Sequence, residues 1–396
     1  MKISIIQPAR NNLKYLKWSY DAIRKNQGNH EVEICVADDY SNDGTWEWCQ
    51  DKMKTDSHFK AIRNEGPSRL GHTILYDRLI NEVATSDVCM IYHADMYLCP
   101  GAIDSIEKHI APKTIVSLTR IEPPLHPPGP EKILFDAGVE PEEFNENDLL
   151  YKAGELSSLK ALPTEGIFAP WAFYKSDFQE IGGHDPIFAP QSKEDSDIFN
   201  RFQLNGVSFV QTWEGFVYHM TCRGSRFNPT LTTPGTNSAE WERQNIKSSK
   251  EFIRKWGHFC KHDDYMKPQI PPKYDIGLKL YNASLATLGA LEPWFTRVYA
   301  DNIDNVVDRY IDHERHSTSF DLLKRVVPMY SNDDATAYHD IVVTINGSYF
   351  NNSDYYYLER LSEIIKDTNE IGIFEIGSMR IEIISLNEYQ NDLIKL

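Results

Sequence analysis

Residues 31–48 read EVEICVADDYSNDGTWEW, a run of strand composition that stops abruptly in acids, small polar side chains and a glycine. The Asp, Asn, Ser and Gly residues end the strand, and the Ser, Asp and Thr among them suit a helix start, so the stretch predicts β followed by α. The N-terminal side repeats the pattern. ISIIQP at 3–8 is a short apolar run closed by Pro8, and Leu13, Leu16, Tyr20 and Ile23 recur at helical spacing over 12–27. On the C-terminal side FKAIRN (59–64), the segments 69–85 and 101–110, a strand at 87–93 and TIVSLT (114–119) continue the alternation. Strands alternating with helices in this way predict a mostly parallel, doubly wound α/β sheet.

The alternation breaks at EPPLHPPGPEK (122–132), whose prolines force an extended surface loop. Beyond it, 164–222 is dense in Gly, Trp, His and Asp, with a helix expected at 193–205, a strand at VSFVQTW (207–213) and a helix at 239–256. KPQIPPK (267–273) reads as a linker, so the expected division is a domain over 1–265 and a smaller α/β module over 270–396. In that module helical patterns are read near 275–325, a strand at DIVVTI (340–345), a helix at 354–366 and strands near 371–386.

At 396 residues the chain exceeds one typical domain, and 41% hydrophobic with 12% aromatic residues is the composition of a folded, soluble protein. A net charge of −17 argues against a nucleic-acid groove or an anionic membrane surface as main partner; an anionic ligand would need a metal or a few placed cations. The six cysteines show no zinc-type spacing and several sit in apolar runs, which fits a reducing compartment. No window has the apolar length of a membrane span or a secretory leader, so the expected location is cytoplasmic.

Open α/β sheets bind ligands at the carboxyl ends of their strands. Three such ends carry chemistry: Gln7-Pro8-Ala9-Arg10-Asn11, then Asp38-Asp39-Tyr40-Ser41-Asn42-Asp43-Gly44-Thr45, then His93-Ala94-Asp95. Asp38, Asp39 and Asp43 also suit turn and cap chemistry. His93 and Asp95, two apart on an extended chain, share a face and can reach one divalent cation; the alternative is a histidine satisfied by its neighbour. His219, closing an apolar strand, is a third candidate ligand, and Arg223 a candidate phosphate contact. In SKEDSDIFNRFQLNG (192–206) Ser192 reads as the helix N-cap, while Glu194, Asp195 and Asp197 crowd more acid into one turn than a cap requires, leaving one for base chemistry. Upstream, Trp171 and the turn Gly182-Gly183-His184-Asp185 offer an apolar platform and a close backbone approach to a ligand, with core packing the equal alternative for Trp171.

Taken in order, ISIIQPARN, VADDYSNDGT, HADMYLCPG, IGGHD, KEDSDIFNRFQLNG, YHMTCRG and RKWG resemble the inverting glycosyltransferases of family 2, which have the A-type nucleotide-sugar-binding fold; the resemblance spans residues 1–257. It implies a nucleotide-binding half over 1–120 and an acceptor half over 121–265. Pro8, Ala9, Asn11, Asp38, Asp39 and Ser41 would then hold the nucleoside of a nucleoside-diphosphate sugar. His93 stands where the family's metal-binding Asp-x-Asp has its first acid and Asp95 where it has its second, with His219 as a further ligand of Mn²⁺ or Mg²⁺ and Arg223 as a helper at the diphosphate. Imidazole ligands move the preference towards Mn²⁺. The resemblance makes Asp195 the general base towards an acceptor hydroxyl on a glycan, lipid-linked or protein acceptor, Glu194 a residue that orients the acceptor or the base, and Trp171, Gly183, His184 and Asp185 the walls of the sugar pocket. The C-terminal module would serve oligomerisation or docking. Two rival readings remain: a nucleotidyltransferase, which lacks its Gly-rich basic loop because QPARNNLKYL has no glycine, and a non-catalytic nucleotide-sugar-binding or assembly protein whose altered metal motif marks lost activity.

Overall fold

The computed structural model describes residues 1–221, 237–329 and 338–396, which fall into two compact units. The first comprises Met1–Gln244, His262–Pro268 and Leu396, and the second Asn245–Lys261 and Gln269–Lys395. The division lies inside one helix, Ala239–Trp256.

In the first unit, strands β1 (Lys2–Ala9), β2 (Glu31–Asp38), β3 (Phe59–Arg63), β4 (Val88–Ile91), β5 (Met96–Leu98), β6 (Thr114–Glu122), β7 (Lys132–Leu134), β8 (Trp171–Tyr174) and β9 (Ser208–His219) form one sheet. Helices α1 (Leu13–Asn26), α2 (Thr45–Thr55), α3 (Gly71–Arg78), α4 (Ala102–His109), α5 (Glu146–Ser158), α6 (Lys175–Glu180) and α7 (Glu194–Leu204) lie between them in sequence, and α8 (Ala239–Trp256) follows. The order is β3-β2-β1-β4-β8-β6-β9-β5, with β7 beside β6. Strands β1 to β4 are mutually parallel, β8 enters antiparallel between β4 and β6, and β5 pairs antiparallel with β9. This is the mostly parallel, doubly wound sheet that the alternation predicts. Ile3, Ile5, Ile6, Ile34 and Val36 are buried on both faces of the sheet, which is why β1 and β2 read as continuous apolar runs rather than alternating ones.

The second unit has its own sheet, β12-β11-β10-β13-β15-β14, built from β10 (Ile276–Tyr281), β11 (Arg297–Ala300), β12 (Val326–Pro328), β13 (Ile341–Asn346), β14 (Gly372–Ile376) and β15 (Met379–Ile383). Its helices are α9 (Leu285–Leu291), α10 (Val306–Glu314), α11 (Leu322–Arg325), α12 (Asn352–Leu358) and α13 (Leu361–Thr368). Leu278, Leu280, Val298, Val343 and Ile345 from the strands pack with Leu288, Leu291, Tyr310, Leu361 and Ile365 from the helices.

Three local expectations give way. Ile276–Tyr281 and Arg297–Ala300 are strands rather than parts of helices, because a buried apolar run of four to six residues carries too little periodicity to tell the two apart. The strand expected to stop at Trp213 continues to His219: residues 213–215 bulge out between the Leu118–Thr212 and Thr119–Phe216 pairs, and pairing with β6 resumes. Gly215 is required there, since a Cβ would stand 1.9 Å from Ser105 Oγ. The helix expected over 354–366 is two short helices, α12 and α13.

A buried ionic cluster organises the second unit. Arg254, fully buried on α8, donates to Glu251 at 2.7 Å, to Glu292 at 2.6 Å and to Glu314 at 2.9 Å, and Arg325 donates to Glu292 at 2.6 Å. Removing one member of such a cluster strands charge away from water. Arg254→Ala is therefore expected to destabilise this unit by about 3–5 kcal/mol, read as a lowered urea midpoint, whereas a change under about 1 kcal/mol would show that the cluster is solvated.

Candidate active site

Strand register brings the strand ends together. Pro8 lies opposite Ala37 and Ala9 opposite Asp38, while Ile6 lies opposite Ile91, so Asn11, Asp39, Ser41 and His93 leave the sheet at the same end. The loops behind β1 and β2 are laced together: Ser41 Oγ accepts from the Asn11 N–H at 3.0 Å and Asn11 Oδ1 accepts from the Asn42 N–H at 2.9 Å. Asp38 is buried, accepts from the Ser41 N–H at 3.1 Å and pairs with Arg63 at 3.2 Å; burial still leaves its carboxyl raised. Asp39 accepts from Asn64 Nδ2 at 2.7 Å and from the Leu70 and Gly71 N–H groups at 3.0 and 2.9 Å. Asp43 braces the starts of α1 and α2 through Leu13 and Thr45. The turn-and-cap chemistry left open for these acids is thus present in all three.

A second grouping lies at the ends of β4, β6 and β9. His93, Asp95 and His219 each bring one ligand atom within 4.8 Å of the others. The antiparallel β5–β9 pair makes this meeting: His219 sits opposite Met96, and the Met220 N–H bonds the Asp95 carbonyl at 3.1 Å. Burial, with His219 beside it, lowers His93 to about 4, so its imidazole is neutral and has a lone pair to give. Burial alone would lower His219 as well, but Asp95 at 3.5 Å and Glu122 at 2.9 Å outweigh it and raise the ring to about 9. Two imidazoles and one carboxylate with a proton to displace are a donor set that fits a divalent ion such as Mn²⁺. Glu122 behind His219 is the carboxylate partner that metal-bound histidines usually keep. It is itself held by Arg120 at 2.9 Å and Lys132 at 3.4 Å, and the Arg120 guanidinium lies over the Phe168 ring at 3.9 Å.

The third grouping is the start of α7. Asp197 is tied to Arg201 at 2.9 Å, and Arg201 donates on to the carbonyls of Ile181 and Gly183, so this acid anchors the glycine turn. Glu194 Oε1 bonds His72 Nε2 at 2.6 Å. Asp195 is the one of the three without a side-chain partner among the described residues. Burial and the neighbouring Glu194 raise its carboxyl; burial works the same way on Glu194, but His72 outweighs it and keeps that acid low. Ser192 and Lys193 both have left-handed backbone, φ 82° and 71°, and Ser192 does not cap the helix as expected; strain of roughly 1–3 kcal/mol per residue is held immediately before the acids. The Tyr76 hydroxyl is raised by burial and by the charges of Asp195, Glu194 and Asp95, acids of both groupings.

Residues 4–129 match the family model described as glycosyl transferase family 2. The matched stretch, about a third of the chain, is similar to that family. Similar solved structures include GalNAc-T7 with UDP, GalNAc and Mn²⁺ (14% identity, 67% of this chain, 49% of that one, TM-score 0.46). They also include the mannosyltransferase PcManGT of Pyrobaculum calidifontis with GDP-Man and Mn²⁺ (15%, 64% and 63%, 0.41) and residues 1–349 of S. aureus TarS with UDP (14%, 64% and 80%, 0.41). The chain spans about half the length of the first of these. No curated protein sequence matches it significantly.

Not every expected residue reaches the site. Trp171 is fully buried, with its ring against Phe173, Phe199 and Phe202 at 4.6, 5.4 and 5.9 Å, so it is core and presents no platform to a sugar. Gly183 is needed because a Cβ there would stand 2.2 Å from Asp77 Oδ2. His184 is buried, bonds the same Asp77 through Nδ1 at 2.6 Å and stacks on Tyr76. Asp185 accepts from the Ile187 N–H at 3.1 Å and caps a single helical turn, so the pair builds the turn first. Arg223 lies outside the described residues. His72, Tyr76, Asp77 and Glu122 were missed. Glu122 had a signal, for it ends β6, and the strand-end rule reaches it once the strand is carried past Thr119.

Glu122→Gln keeps the shape behind His219 while removing the charge that orients it. It is expected to weaken Mn²⁺ binding about 10–100-fold by titration calorimetry, and Asp95→Ala to abolish it; unchanged affinity in both variants would remove the metal assignment.

Proposed function

We propose that the domain transfers a sugar from a nucleoside-diphosphate donor to an acceptor hydroxyl with inversion at the anomeric carbon. The observation that carries this reading is the meeting of His93, Asp95 and His219 at the strand ends, with ligand atoms within 4.8 Å of one another, while the charges of Asp95 and Asp195 both reach the Tyr76 hydroxyl. Pro8, Ala9, Asn11 and Ser41 form the edge against which the nucleoside rests, and Asp38 and Asp39 stiffen that edge from behind. His93, Asp95 and His219 would hold Mn²⁺ or Mg²⁺, which would supply charge neutralisation for the leaving diphosphate. Asp195 takes the acceptor proton as the acceptor oxygen bonds the anomeric carbon, while the bond from that carbon to the diphosphate oxygen breaks and the electron pair leaves with the nucleoside diphosphate. A single displacement inverts the centre. The acidic chain does not oppose an anionic donor, because the diphosphate would meet a bound divalent ion rather than bulk protein charge. A cytoplasmic location belongs to the same reading, and among the described residues no helix is long and apolar enough to cross a membrane.

Asp195 must be ionised to accept a proton, and its carboxyl is raised to about 6, so kcat is expected to fall as pH drops below about 6 and to level off above it. Asp195→Asn should lower nucleoside diphosphate release about 10²–10⁴-fold while leaving donor affinity in place. The measurement is turnover with Mn²⁺ over a panel of UDP-, GDP- and dTDP-sugars. Tight donor binding with no turnover across acceptors would instead identify a binding or assembly protein.

A further inference from the structure

The start of α3 is fixed on two sides. The Gly71 N–H bonds Asp39 Oδ2 at 2.9 Å, and a Cβ on Gly71 would stand 2.1 Å from the Pro190 carbonyl, so α3 begins hard against the segment leading into Glu194. Thr73 Oγ1 bonds the same carbonyl at 3.4 Å. His72, between these anchors, therefore has its ring delivered to Glu194 rather than free to sample other partners. Glu194 is 6% exposed; Oε1 is bonded by His72 at 2.6 Å, and Oε2 is buried with no hydrogen-bond partner among the described residues. A buried carboxylate beside a second carboxylate needs a counter-charge, or the two acids end up sharing one proton.

Other charged groups surround the pair. Arg69 bonds Gln191 at 2.9 Å, lies 3.8 Å from Asp39 and also feels the charge of Glu194, whereas His72 bonds Glu194 directly. His184 acts on both acids but is bonded through Nδ1 to Asp77. His93 lies close enough to feel His72, and Tyr76 packs on the His72 ring at 5.6 Å. Asp197 is paired with Arg201, and Lys193 precedes the acids on the chain.

We propose that His72 is a positioning residue for the acceptor side of the transferase site: it clamps Glu194 by one oxygen, leaves Oε2 as the contact for the acceptor hydroxyl, and keeps the base role on Asp195 alone. This rests on the transferase reading above. Without the imidazolium, the negative charge of Glu194 acts unopposed on Asp195, which then holds its proton to higher pH. Without the Glu194 charge, Asp195 releases its proton at lower pH. The two substitutions thus move one property in opposite directions, which a merely structural role of His72 would not do.

The test compares pH–rate profiles of the wild type, His72→Gln and Glu194→Gln on whichever nucleotide sugar the donor panel turns over. The acidic limb is expected to rise by about one pH unit in His72→Gln and to fall by a similar amount in Glu194→Gln. A loss of rate in both with the limb unmoved overturns the proposal. Imidazole NMR titration of the unliganded protein reads the pair without turnover: His72 should titrate above the ordinary histidine range and return towards it in Glu194→Gln. Should no nucleotide sugar be turned over, the transferase reading fails; the His72–Glu194 pairing itself still stands or falls on that titration, and an ordinary His72 value overturns it in either case.

Discussion

The carboxylate of Asp39 connects the parts of this site. Burying an acid costs several kcal/mol unless hydrogen bonds replace its water, and here Asn64 and the N–H groups of Leu70 and Gly71 supply them. Two of those donors are backbone at the start of α3, so the end of β2 determines where α3 begins. His72 and Tyr76 ride on that helix, and the lack of room for a Cβ on Gly71 transmits the placement to Pro190 and the residues before Glu194. The loop behind β2 and the turn that carries the acids are in this way linked through the start of α3.

The metal-type grouping depends on a different device, the bulge in β9. Residues 213–215 leave the ladder and β9 then resumes pairing with β6, so the strand lasts long enough to place His219 beside Asp95 and over Glu122. Glu122, Arg120 and Lys132 form a nearly dry set of charges behind the imidazole. Such a set is stabilising only when every member is paired, which restrains His219 to one orientation.

Much of this was legible before any coordinates. Parallel strands buried on both faces produce apolar runs with polar ends, and the polar ends converge because parallel register aligns them; that logic alone singles out Asp39, His93 and Asp95. The exceptions have particular causes. Trp171 follows a proline and precedes a glycine turn, which looks like a surface, yet it lies on β8, inserted between β4 and β6, where both faces are covered. Ser192 has a capping side chain, but its left-handed backbone, shared with Lys193, carries the chain into α7 without it. His72 gave no local signal, since its importance lies in a contact 122 residues away in the chain. Ile276–Tyr281 was too short for periodicity to decide between strand and helix.

Glu194 and Asp195 are consecutive residues of nearly the same chemistry, and nothing in the dipeptide decides which one should act as base. A pair of acids is divided into roles when its surroundings push the two carboxyls apart. Here burial acts on both in the same direction, so it cannot make the division; the difference is that one has a histidine 2.6 Å away and the other has no side-chain partner among the described residues. That histidine is held by α3, α3 by Asp39, and Asp39 by its place at the end of β2. The difference between the two acids therefore traces back to the end of β2, so an acid at a strand end sets the surroundings of carboxyls it never touches.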